Sequence, residues 1–139
     1  MIPLAQLELA AQAITQTPTT IVCQSPWPYP RDAAYTIQRP DGSYAAVIYL
    51  PRATCARLEH DDTSASIATG DILAVTHEAE HIHLQSPDEC LVEAAAVANV
   101  WPVLHALGLS AWRDTAILAA IPIDDAELPA AYHPENGSC

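Results

Sequence analysis

The stretch from Val75 to Glu93 contains two helix signals with almost nothing between them, and that arrangement limits how the chain can fold. Upstream, Ile67, Ile72, Val75, Ala79 and Ile82 recur at helical steps, which predicts a helix from about Ser64 to His83. Downstream, Ser86-Pro-Asp-Glu89 combines a Ser cap, Pro at the first helical position and Glu three residues past the cap, so a second helix opens there. With so short a connection, the two helices must return on each other as an antiparallel pair centred near Gln85.

On the first of these helices, His77, Glu78 and His81 stand in the order H-E-x-x-H. Residues four apart share a helix face, so both imidazoles can turn a nitrogen toward one divalent ion, with Glu78 beside it where a water would sit. A zinc site of this kind needs a third protein ligand, and Asp88, Glu89 and Glu93 compete for the role. In an ideal antiparallel pair the point midway between the histidines faces about residue 92, which favours Glu93. Glu89 would face His81 and doubles as the capping-box acid, while Asp88 suits the helix dipole in the first turn. Glu89 and Glu93 share a face, so one can bind metal while the other orients a histidine through its distal N–H. Glu80 and His83 fall off the metal-facing line and are read as solvated surface residues.

Composition narrows the function. The 139 residues are half apolar, enough for one domain with a real core. The formal net charge is −12 and all five basic residues are Arg, so phosphate-bearing nucleic acid is excluded as a partner and an anionic membrane is disfavoured. The first nine residues lack a basic n-region and carry Gln and Glu, and no apolar run is long enough to span a bilayer. The expectation is a soluble, cytoplasmic protein. Cys23, Cys55, Cys90 and Cys139 form no C-x-x-C pair, and in that compartment four thiols are expected.

The remaining elements follow in order. Leu4, Leu7, Ala11 and Ile14 predict an amphipathic helix over 4–14, and Thr19 to Cys23 a short strand. Ser25-Pro-Trp-Pro-Tyr-Pro-Arg31 is an extended loop, since its prolines forbid a helix and remove sheet donors. Residues 34–39 and 43–50 flank the turn Pro40-Asp-Gly42 as a β-hairpin, followed by a short helix from Pro51 to about Leu58. The helix opened at Ser86 reaches a kink or break at Pro102 and stops at Gly108; a last helix covers 111–120, and 124–139 is an irregular tail. Residues 1–139 therefore make one α+β domain.

H-E-A-E-H followed by D-E-C-L-V-E resembles the small zincin-like metallopeptidases of bacteria and their phages, in which H-E-x-x-H is coupled to a D-E-x-x-x-E helix. Leu50-Pro-x-x-x-Cys-x-x-Leu58, Ala106-Leu-Gly108 and Leu128-Pro-Ala-Ala-Tyr132 are similar to that group as well, so the likeness spans roughly 45–132. The resemblance implies a minimal zincin-like fold, with a small antiparallel or mixed sheet packed on the H-E-x-x-H helix and the acid-bearing helix. It implies His77 and His81 as zinc ligands, Glu78 as catalytic acid/base, and Glu89 or Glu93 as the remaining ligand. Zincins with an E-x-x-x-D/E helix use the first acid on the metal, which points to Glu89, whereas the spacing points to Glu93. Leu84 stands where relatives carry Gly, and the turn is one residue longer. The implied reaction is hydrolysis of a peptide or protein substrate by zinc-activated water, with the substrate added as a strand at Tyr44–Leu50. An oxyanion donor is sought among His105, Arg113, Tyr132 and His133. The alternatives are a zinc-binding, catalytically silent assembly module and a metal-free helical interaction domain.

Overall fold

The computed structural model describes residues 2–60 and 65–107, with the side chains of 65–69 set aside. The expected helix over 111–120, the tail, and Arg113, Tyr132 and His133 lie outside the described residues. The described chain is α+β, in the order α1 (Leu4–Thr15), β1 (Thr20–Gln24), β2 (Val47–Pro51), α2 (Arg52–His60), α3 (Ala65–Leu84) and α4 (Glu89–Ala106).

α1 buries Leu7, Ala10 and Ala11, and ends at Gln16 in the left-handed region, whose N–H bonds the Gln12 carbonyl. α3 and α4 lie against each other along their length; Val75, Ala79 and Ile82 of α3 share one core with Val100, Val103 and Leu104 of α4, and Val92 and Ala96 are buried as well. Ala79 and Ala96 have no exposed surface. α1 covers a further face of α3, and Ile48 and Leu50 of β2 close the core. α4 runs through Pro102 without the expected break.

β1 and β2 pair in parallel, with Thr20 opposite Val47 and Cys23 opposite Leu50. The expected hairpin survives as two isolated antiparallel bridges, Tyr35 to Tyr49 and Gln38 to Tyr44. Two residues lie between these bridges on one arm and four on the other. The surplus is taken up at Ala45 and Ala46, where the Val47 N–H turns back onto the Ala45 carbonyl at 2.8 Å. The ladder is therefore interrupted, and regular strand begins only at Val47. Tyr44–Leu50 is also not the open edge expected for it. β1 flanks β2 on one side, and the arm over 35–38 lies on the other.

The expectation of four thiols is corrected by a disulfide between Cys23 and Cys55. Parallel pairing sets Cys23 beside Leu50, and α2 starts directly after β2, so Cys55 in its first turn comes within reach. Closing a loop of this span stabilises the fold by about 4 kcal/mol through the entropy of the unfolded chain. Arg57 of α2 makes a forked ion pair with Asp71 of α3, at 2.7 Å for the shortest contact, fixing α2 against the helix that carries the histidines.

Glu80 corrects another expectation. It is 1% exposed, and its carboxylate accepts a 2.7 Å hydrogen bond from Asn99 Nδ2 of α4. Because α3 is covered by both α1 and α4, the flank that carries Glu80 is interior rather than solvated. His83 is exposed, as expected.

Candidate metal centre

The turn between α3 and α4 builds the site. Gln85 adopts the left-handed conformation that ends α3, and its side-chain amide donates to the Ile82 carbonyl at 2.7 Å. α4 is capped by Asp88, whose Oδ1 accepts from the Leu91 N–H at 3.1 Å, and not by Ser86. Asp is as good a cap as Ser, and using it starts the helix two residues later than the sequence motif indicates. Asp88 is thereby occupied in capping. Glu89 becomes the first helical residue rather than a capping-box acid, and its carboxylate is left for other partners.

Those partners are the two histidines. Glu89 Oε2 lies 3.0 Å from His77 Nε2, and Oε1 lies 3.1 Å from His81 Nε2. His77, His81 and Glu89 thus present three converging ligand atoms. Ligands held at 2.0–2.1 Å around a tetrahedral zinc stand about 3.3 Å apart; the two His–Glu89 contacts, made to different carboxylate oxygens, are near that value, and the three ligand atoms lie within 4.8 Å of one another. Two imidazoles and a carboxylate also form a donor set that suits zinc.

The distal nitrogens support the same arrangement. His81 Nδ1 lies 2.8 Å from the Ser86 carbonyl, which only accepts, so the ring proton sits on Nδ1 and the Nε2 lone pair faces Glu89. Glu93 Oε1 lies 2.5 Å from His77 Nδ1, although the contact is off the N–H direction and leaves Nδ1 without a well-formed hydrogen bond. The distance is that of an ion pair and the charge partnership stands on it. Burial alone would lower the basicity of His77, but the carboxylates of Glu93, Glu78 and Glu89 together outweigh it and raise its pKa. Glu93 therefore sits behind His77, while Glu89 is the acid that joins both histidines in the group that could hold a metal ion.

Glu78 follows His77 on α3 and accepts a 3.1 Å hydrogen bond from Thr36 Oγ1 on the 34–38 arm. Burial pushes its pKa up to about 7, against the opposing pull of His77 and the Thr36 hydrogen bond. With the folded value above the unfolded 4.5, Glu78 burdens the native state little below pH 4.5 and increasingly as pH rises through about 7. Glu78→Gln should accordingly stabilise the zinc-free protein by about 2–3 kcal/mol at pH 8. Thermal melts at pH 8 and pH 4 check this: a gain of equal size at both would mean that the charge is not its cause.

The arm over 31–38, α3, α4 and Tyr44 enclose a cleft of about 620 Å³ with His77, Glu78, His81, Glu89 and Glu93 in its wall. Tyr44 stacks on His81, with ring centres 5.1 Å apart and planes at 27°. His105 stands exposed in the last turn of α4 and does not line the cleft. Thr36 and Tyr44 carry no motif, and the hairpin turn was their only signal in the sequence. No protein-family model, curated protein or solved structure matches the chain.

Proposed function

We propose that the protein is a zinc-dependent peptidase of minimal zincin-like type, with zinc held by His77, His81 and Glu89. The observation that carries this reading is the convergence of both Nε2 atoms on one carboxylate, with His81 Nδ1 bonded to the Ser86 carbonyl and the Glu93 carboxylate beside His77 Nδ1. Zinc bound there supplies Lewis acidity, which makes water nucleophilic near neutral pH and draws electron density from a carbonyl.

The chain's own residues account for the remaining steps. Thr36 and Gln38 line the cleft, and their backbone N–H and C=O groups make no hydrogen bond among the described residues, whereas Tyr35 and the Ile37 carbonyl pair inward. This outer edge supports docking of an extended peptide as an added strand. Glu78 takes a proton from the attacking water and delivers it to the leaving nitrogen, so the C–N bond breaks as a C–O bond forms. Thr36 holds Glu78 against the cleft wall.

A catalytically silent module would share every ligand. The cleft, at about 620 Å³, lies within the range of small-molecule sites and gives a substrate room beside the histidines. The test is metal analysis of protein purified without chelator or histidine tag, where about one zinc per chain is expected. Less than about 0.2 zinc per chain with the fold intact would favour an accidental motif. Zinc at full occupancy with no cleavage across a broad peptide library would favour the silent module.

A further inference from the structure

We propose that Tyr44 is a further catalytic residue of this cleft, its hydroxyl donating a hydrogen bond to the carbonyl oxygen of the scissile amide as that oxygen gains negative charge. This assignment rests on the hydrolase reading above and supplies the oxyanion donor which that reading lacks.

Elimination among the cleft-lining donors leads to Tyr44. The Tyr35 hydroxyl donates to Gln24 Oε1 at 2.5 Å, the Thr36 hydroxyl to Glu78 at 3.1 Å, and the Gln38 amide to the Gly42 carbonyl at 3.2 Å. Each of these is engaged. Arg31 remains, but it is an exposed residue at the end of the proline-rich loop, with its side chain unanchored among the described residues. Tyr44 differs on every count: it is 9% exposed, it lies in the cleft wall, and its hydroxyl makes no hydrogen bond to any described residue. The ring is buried while the hydroxyl is not among the buried unpartnered atoms, so it opens to the cleft, where a bound ligand can meet it.

Its position is fixed from two directions. The Gln85 side chain accepts from the Tyr44 N–H at 2.8 Å and donates to its carbonyl at 3.4 Å, tying residue 44 to the end of α3. The ring in turn lies on His81. Tyr44 lines the same cleft as Glu89 and Glu78, the third ligand and general base of the proposed mechanism. A rigid neutral donor in that space costs no reorganisation when negative charge develops, which is what oxyanion stabilisation requires.

The test compares zinc-loaded, full-length wild type with Tyr44→Phe, which keeps the stacked ring and removes only the hydroxyl. Zinc affinity should be unchanged by chelator competition. Binding of an N-phosphoryl dipeptide, which presents tetrahedral anionic oxygens, should weaken about 10- to 100-fold by calorimetry, as for loss of a hydrogen bond to a charged group. Acetohydroxamate, a zinc chelator without that tetrahedral centre, should bind within about threefold of wild type by the same reasoning. With any peptide that wild type cleaves, kcat should fall about 10²- to 10³-fold at nearly constant KM. Equal weakening of both probes, or loss of zinc, would make Tyr44 a support for His81 and overturn the proposal. Wild-type binding and turnover retained in Tyr44→Phe would overturn it while leaving the hydrolase reading intact. Zinc-loaded wild type that binds neither probe and cleaves nothing would overturn the hydrolase reading itself.

Discussion

Glu78→Gln is expected to lower kcat by about 10³- to 10⁴-fold while leaving zinc at the wild-type stoichiometry. The amide has the size and shape of the carboxyl group, and its oxygen can still accept the hydrogen bond from Thr36 Oγ1, so the side chain keeps its place. What it loses is the ability to take a proton from water and pass it to a leaving amine. Glu78 is not among the converging ligand atoms, so the metal has no reason to leave. The two halves of the prediction are read separately, turnover with a cleaved peptide and zinc by atomic absorption. A variant that cleaves as well as wild type would remove Glu78 from the mechanism. A variant that loses zinc together with activity would instead make it part of the metal's support.

The contrast between Glu89 and Glu93 shows where the sequence stops being informative. Helical spacing brings His77 and His81 onto one face, and reversal near Gln85 carries an acidic helix past them; both are local consequences of periodicity and capping. The facing argument favours Glu93 as the third ligand, whereas the converging group contains Glu89. Spacing locates the roots of side chains, however, and says nothing of which oxygen meets which ring nitrogen. Glu93 reaches Nδ1, and the Nε2 side of both rings is taken by Glu89. That outcome depended on Asp88 rather than Ser86 capping α4, a competition between two good caps that composition cannot decide.

Tertiary contacts account for the other differences. The wall over 34–38 stands beside Glu78 because two residues are absorbed at Ala45 and Ala46, and no turn signal predicts such a bulge. Glu80 is interior because α1, some sixty residues earlier in the chain, covers that face of α3, and Asn99 arrives from α4 to satisfy it. The Cys23–Cys55 bridge depends on the parallel register of β1 and β2, which is likewise a property of the assembled sheet.

The ligand assignment predicts a ladder of zinc affinities. His77→Ala, His81→Ala and Glu89→Ala each remove an atom of the converging group, and each should weaken zinc on the order of 10³-fold, given an apparent free energy of about 10–16 kcal/mol shared among a few ligands. Glu93→Ala removes only the partner of His77 Nδ1, and the expected loss is about 10- to 100-fold, typical of a group that orients a ligand. Glu89 is the informative position. Its side chain is 56% exposed and its backbone begins a helix that Asp88 still caps, so Glu89→Ala should leave the zinc-free melting temperature nearly unchanged while zinc binding collapses. Glu93 also raises the basicity of His77, so protons compete harder with metal in wild type than in Glu93→Ala. The penalty for Glu93→Ala should therefore shrink as pH falls, since the variant surrenders less of its zinc affinity to protonation of His77. Chelator competition across pH 6–8 measures both effects. Should Glu93→Ala prove the more damaging of the two acid substitutions at every pH, the roles of Glu89 and Glu93 would have to be exchanged.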